Sequence, residues 1–225
     1  MSIRRLKNHV KECIEKTEEN KSNLNNEIIN MDGMSGIKTR HLINNICSWE
    51  ESKYLEIGCW KGSLTCSALF NNKLTCMAVD NWSEYGGPKE EFLENFNKYK
   101  GNNNATFLEK NCWKIEESSI GRFNIFIYDG DNNQDSHYNS LKKYFMALDD
   151  EFIFLVRDWN LLDIQNQVDR VIKDLELIIE FKSEFKTNSN SDEDWYNGLG
   201  MFILSKKKPD PIEFKPTTTE FSNYI

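Results

Sequence analysis

The chain alternates between two rhythms of apolar residues. Compact apolar runs lie at residues 54–57, 73–80, 105–110, 122–129 and 151–156, each closed by polar or glycine-containing sequence, as strands buried on both faces are. Between them apolar side chains recur every three or four positions: Leu42, Ile43 and Ile46; Phe92, Leu93, Phe96 and Tyr99; Tyr138, Leu141, Tyr144, Phe145 and Leu148. That period puts each set on one stripe of a helix. Helices are therefore expected over residues 38–48, 63–70, 89–100, 134–148 and 161–177. Strand followed by helix, repeated along the chain, predicts an α/β fold: a Rossmann-like, doubly wound, mostly parallel sheet with helices on both faces. The last two strands, 178–185 and 198–206, are joined by the polar loop 187–194 without a helix, which implies an antiparallel hairpin at one sheet edge.

The ends read differently from the middle. Residues 1–30 carry Ile3, Leu6, Val10, Cys13 and Ile14 on one side of an amphipathic helix, an N-terminal helical extension expected to pack beside the core or against a partner. The main domain spans residues 31–206. From residue 207 the prolines at 209, 211 and 216 predict an extended C-terminal tail. Met31 to Gly36 is a glycine-punctuated turn of the kind that lies over a ligand mouth.

Candidate chemistry concentrates where strands end. Tyr54-Leu55-Glu56-Ile57-Gly58-Cys59-Trp60-Lys61-Gly62-Ser63 reads as strand, tight glycine turn and helix start, with Gly58 and Gly62 free to turn sharply and approach a ligand. The spacing is Glu-x-Gly-x-x-x-Gly, so neither the dinucleotide Gly-x-Gly-x-x-Gly fingerprint nor a phosphate-cradling P-loop is present. A carboxylate at Glu56 repels a pyrophosphate but suits an ammonium. Asp80, with Asn81 and Trp82 after it, ends the second strand about 20 residues on, where an acid can hold ribose hydroxyls; the alternative is a turn-capping Asp. Asn111 and Cys112 end the third strand, Asn111 placed for an adenine amino group, with Trp82 or Trp113 beside the ring or in the core. Asp129-Gly130-Asp131 ends the fourth and Arg157-Asp158-Trp159 the fifth.

Composition narrows the partners. Of 225 residues 39% are hydrophobic and 12% aromatic, enough for one packed domain, and the net charge of -8 argues against nucleic-acid phosphates or an anionic membrane as partners. No run approaches a membrane span, and the basic N-terminus leads into Glu-rich sequence, so a cytoplasmic address is expected. The six cysteines show no zinc spacing and read as reduced, buried thiols. The first helix and the tail could support self-association as a homo-oligomer.

The glycine-turn sequence resembles motif I of the class I S-adenosylmethionine-dependent methyltransferases. Together with Tyr128-Asp129-Gly130-Asp131 and Arg157-Asp158-Trp159 it looks like the small O-methyltransferase group that includes the macrocin-type sugar O-methyltransferases. The resemblance covers roughly residues 34–206 and implies a seven-stranded sheet, S-adenosyl-L-methionine as cofactor, and methyl transfer to an oxygen of a sugar or other small molecule. By it Glu56, Gly58 and Gly62 would flank the methionine part of the cofactor, Asp80 its ribose and Asn111 its adenine region. Cys59, Trp60, Ser63, Asn81, Trp82, Cys112 and Asp129, beside or within the same motifs, are expected at the cofactor as well. Metal-dependent members hold a divalent ion such as Mg²⁺ through a carboxylate matching Asp129 and an acidic pair ending the fifth strand. Here Arg157 replaces the first acid of that pair, and Asn132 stands where many relatives have a histidine, which puts the ion in question. Asp129, Asp131 and Asp158 are the expected bases for removing the acceptor proton, with His137 a further one or a histidine satisfied at a helix surface. The competing reading is a protein of the same fold that binds the cofactor or its product without catalysis. A nicotinamide oxidoreductase is disfavoured by the missing fingerprint.

Overall fold

The computed structural model describes residues 2–207 apart from Asn132 and Gln134. The substitution noted at Asn132 and the expected tail beyond Lys207 lie outside the described residues. Seven strands form one sheet: β1 (Lys53–Ile57), β2 (Thr75–Asp80), β3 (Asn104–Glu109), β4 (Phe123–Tyr128), β5 (Leu148–Arg157), β6 (Ile178–Phe185) and β7 (Leu199–Ser205), in the spatial order β3-β2-β1-β4-β5-β7-β6. The first five are parallel, and β7 runs antiparallel between β5 and β6, so the expected terminal hairpin sits at the sheet edge.

Among the described residues seven α-helices cover the sheet: α1 (Ile3–Glu18), α2 (Asn26–Ile29), α3 (Ile37–Ile46), α4 (Ser63–Leu69), α5 (Lys89–Tyr99), α6 (Ser136–Tyr144) and α7 (Leu162–Asp174). Alternation along each strand splits the core in two. Tyr54, Ile125 and Ile127 face the side packed by α1, α3, α4 and α5, whereas Leu55, Phe126 and Tyr128 face α6 and α7. The N-terminal helix joins this core: Leu6, Val10 and Cys13 are buried, and Lys7 pairs with Glu180 of β6 at 2.7 Å.

Some elements differ from the sequence reading; the helix expected over 161–177, for example, is Leu162–Asp174. The expected helix 134–148 is α6 followed by a 3-10 turn, Phe145–Ala147, because Leu148 already pairs with Phe123 and starts β5 three residues before the expected 151. The short helix α2 was not anticipated; Asn25 caps it, its side chain accepting from Ile28 N at 3.0 Å.

Register places the site. Val79, Ile57, Tyr128 and Val156 lie level across β2, β1, β4 and β5. One residue further along, Asp80, Gly58, Asp129 and Arg157 therefore stand on a common rim at the carboxyl ends of the parallel strands. The crevice outside that rim is where open α/β sheets bind ligands.

Candidate active site

The glycine turn is built by its neighbours. Gly58 has φ +84°, and a Cβ on it would lie 2.2 Å from the carbonyl oxygen of Asp129, so β1 and β4 can abut at this level only through glycine. Gly62, at φ +85°, precedes α4 and closes the turn with its N–H on Cys59 O at 2.6 Å. Asp80 ties the turn to β2: Oδ2 accepts from the backbone N–H groups of Cys59 (2.9 Å) and Trp60 (2.8 Å), and Oδ1 from that of Trp82 (2.7 Å). A carboxylate has about four acceptor sites. With three in use, Asp80 has room for one further bond on its cavity side. The turn-capping role and the ligand-facing position thus coincide in one side chain.

Glu56 lies beneath this turn, 1% exposed. Its Oε2 accepts from Tyr54 Oη at 2.9 Å and Thr65 Oγ1 at 2.8 Å, and the residue still lines the cavity. Burial pushes its carboxyl up to about 8, partly offset by those two hydroxyls. Asp129 is pushed up to about 6, again by burial, against the opposing pull of the Arg157 guanidinium.

A cavity of about 360 Å³ opens at the rim, within the range of roughly 300–1,000 Å³ common for small-molecule sites. Glu56, Gly58, Cys59, Trp60, Ser63, Asp80, Asn81, Trp82, Asn111, Cys112, Asp129, Asp131 and Asp158 all border it. Gly62 does not; it shapes the turn from behind. Asn111 has its Oδ1 engaged by Trp113 N at 2.9 Å, capping the short turn Cys112–Lys114, so a ligand there meets the edge of a fixed cap. Trp82 contributes an edge only. Its ring packs 5.1 Å from Phe92 in the core and its indole N–H donates to Trp60 O, so Trp113, which is far more exposed, is the ring available to a planar ligand. Cys59 is buried, and burial holds its thiol well above the ordinary range, a packing residue at the wall rather than a nucleophile.

The opposite end of the cavity differs from expectation. Arg157, 1% exposed, donates from Nε to Asp129 Oδ2 at 3.2 Å and from Nη2 to Met34 O. Asp131 accepts from Ser136 Oγ and, at 3.3 Å, from Tyr128 Oη; Asp158 accepts from Asn197 Nδ2 at 2.8 Å. His137 is not where a catalytic base would stand. Because α6 starts at Ser136, His137 lies in its first turn and is buried under the Tyr128 ring, 5.0 Å away, not at a helix surface. It does not border the cavity, and burial lowers it to about 4, so it is an uncharged core residue without the reach of a base.

A divalent ion does not fit this rim. The carboxylate that would anchor it is already matched by a guanidinium, and among the described residues no cluster of three or more His, Cys, Asp or Glu converges.

Several residues came from tertiary structure alone. Arg40, on α3, is 3% exposed and among the described residues meets no carboxylate; its guanidinium donates to the carbonyls of Ile28, Ile29, Met31, Gly33 and Ser35 and so fixes the turn that brings Met34 to the cavity. Tyr196 and Asn197 reach the cavity from just before β7.

No family model matches the chain, and no curated protein matches it. Solved structures do. A putative RNA methyltransferase from Pyrococcus horikoshii is 13% identical with a TM-score of 0.54, over 90% of this chain and 98% of that one. An S-adenosylhomocysteine-bound methyltransferase from Podospora anserina is 14% identical, TM-score 0.52, over 89% and 88%. A putative O-methyltransferase from Klebsiella pneumoniae is 11% identical, TM-score 0.51, over 87% and 89%. Strand order, terminal hairpin and these likenesses agree: the chain has the seven-stranded Rossmann-like fold of the S-adenosylmethionine-dependent methyltransferases.

Proposed function

We propose that the protein is an S-adenosylmethionine-dependent methyltransferase acting on an oxygen of a small molecule. The observation that carries this reading is the pair Glu56 and Asp129, two carboxylates at one cavity that burial holds well above their ordinary range. Carboxylates held so high gain when a cation enters, and the nearest fixed cation, Arg157, serves only one of them. A sulfonium with an ammonium group supplies that charge; a pyrophosphate would add to the repulsion.

When bound, the cofactor supplies an electrophilic methyl group on a cationic sulfur. Glu56 would hold the ammonium beneath the glycine turn. Asp80 would accept one ribose hydroxyl with its remaining site, and the Asn111–Trp113 segment would border the adenine. The protein's task is then to align the acceptor oxygen and take its proton. Asp129 suits the second part, being near half-ionised around pH 6 and oriented by Arg157. Asp131 and Asp158 serve as alternative acceptors beside it. The chemistry expected here needs no metal ligand.

The same salt bridge favours a second reading, a non-catalytic binder of the cofactor or its product, because it occupies the oxygen a base would use. Two measurements separate the readings. Calorimetric titration with S-adenosylhomocysteine and with NADH should show binding of the former alone. Release of labelled methyl from S-adenosylmethionine across a panel of hydroxylated small molecules should then show turnover. Binding without turnover on any acceptor supports the binder, and binding of neither nucleotide rejects both readings.

A further inference from the structure

Arg157 leaves one donor group unspent. Its Nε meets Asp129 and its Nη2 meets Met34 O, but Nη1 is buried with no hydrogen-bond partner among the described residues. Arg157 forms part of the cavity wall, with the Tyr196 ring 5.6 Å from its guanidinium carbon. A buried donor without an acceptor costs about 1–3 kcal/mol, more when charged, so a partner that reaches it at a cavity wall gains that much. We propose that this end of the cavity receives a carboxylate carried by the methyl acceptor, with Nη1 of Arg157 as its donor. The inference rests on the methyltransferase reading and names the acceptor class within it.

Three features select this occupant. With Nε and Nη2 of the planar guanidinium engaged, Nη1 is the donor left for an anion, and a planar carboxylate is the partner that a guanidinium matches. Position argues for the acceptor rather than the cofactor: β4 lies between β1 and β5, so Arg157 stands two strands from the glycine turn, about 10 Å at the usual strand spacing. The charge of the anion is limited by Asp129, which pairs with the guanidinium, and by Asp158, which borders the same cavity; both would repel the second charge of a phosphate more than a monocarboxylate.

The test uses the full-length protein saturated with S-adenosylhomocysteine, titrated with small aliphatic and aromatic monocarboxylates, each matched by its primary amide. Wild type, Arg157→Lys and Arg157→Met are compared. The wild type should bind at least one carboxylate about tenfold more tightly than its amide, by the strength of a charge-assisted bond. That preference should disappear in Arg157→Met and be intermediate in Arg157→Lys. Saturation with S-adenosylhomocysteine is verified for each variant separately, and circular dichroism certifies that each is folded. No carboxylate preference in the wild type, or one that survives Arg157→Met, overturns the proposal. So does a loss of S-adenosylhomocysteine affinity in both variants with methylthioadenosine binding unchanged, which would assign Nη1 to the cofactor's own carboxylate. Failure of the wild type to bind S-adenosylhomocysteine would instead remove the methyltransferase reading itself.

Discussion

Arg157 Nε lies 3.2 Å from Asp129 Oδ2, joining the ends of β5 and β4 by an ion pair whose basic member is 1% exposed. Asp129 is partly reached by solvent, so the pair is only half shielded. Arg157→Met leaves that carboxylate without its counter-ion, and the loss at pH 8 should be about 3 kcal/mol, the lower end for breaking a buried pair. At pH 5 Asp129, already raised to about 6, takes up a proton and escapes most of the penalty. Urea unfolding of both proteins at the two pH values checks this; an equal loss at both would show that the two groups are not coupled.

Glu56 predicts the pH course of stability. Its carboxyl is raised from 4.5 to about 8, so the folded state holds a proton that the unfolded chain has released between those values. Its contribution is complete below pH 4.5 and is lost as pH rises through about 8, at up to roughly 1.4 kcal/mol per pH unit. Glu56→Gln keeps an oxygen for Tyr54 and Thr65 but cannot titrate. The difference in unfolding free energy between variant and wild type should therefore move in the variant's favour from pH 5 to pH 8. A difference that stays flat contradicts the burial argument.

Asp80→Asn separates the two sides of one carboxylate. The amide has a single carbonyl oxygen and can accept from the Cys59–Trp60 pair or from Trp82, not from both. Leaving a backbone N–H unmatched costs about 1–3 kcal/mol. The loosened turn should weaken S-adenosylhomocysteine binding by about tenfold, the equivalent of 1.4 kcal/mol. Thermal unfolding and calorimetry report the two effects, and a variant unchanged in both would mean the turn does not depend on Asp80.

Two glycines make a matched pair. Gly58 and Gly121 both have φ near +85°, at +84° and +88°, but a Cβ at Gly58 meets the Asp129 carbonyl at 2.2 Å whereas one at Gly121 meets nothing within 4 Å. Gly121→Ala should cost only the left-handed backbone penalty of about 1–2 kcal/mol. Gly58→Ala adds a clash between two strand ends and should cost more than about 4 kcal/mol or prevent folding. Similar losses in chemical denaturation would refute the close approach.

What could be read from the residues follows from what each needs to be recognised. β1 and β4 were legible because both faces are buried and the apolar run is unbroken, and Gly58, Asp80 and Asp129 because they directly follow or end such runs. His137 was misplaced by the start of α6: Asp135, at φ +67°, delays the helix to Ser136 and turns the histidine inward. Arg40 gave no signal, since its partners are main-chain carbonyls of a turn and not an acid at helical spacing. Tyr196 and Asn197 were equally silent, because only the pairing of β7 with β5, Leu199 opposite Arg157, carries the preceding loop to the rim.

The strip from Ile28 to Ser35 is gripped by two cationic side chains, Arg40 through the carbonyls of Met31, Gly33 and Ser35, and Arg157 through that of Met34. Peeling this flank open would strand both guanidinium groups at once, so it acts as a fixed doorpost. The other side is more open: Tyr85 is 65% exposed, and its carbonyl is tied to the turn through the Trp60 indole N–H at 3.0 Å. Changes that stiffen the Tyr85 segment should slow exchange of bound molecules without altering how tightly they are held at equilibrium.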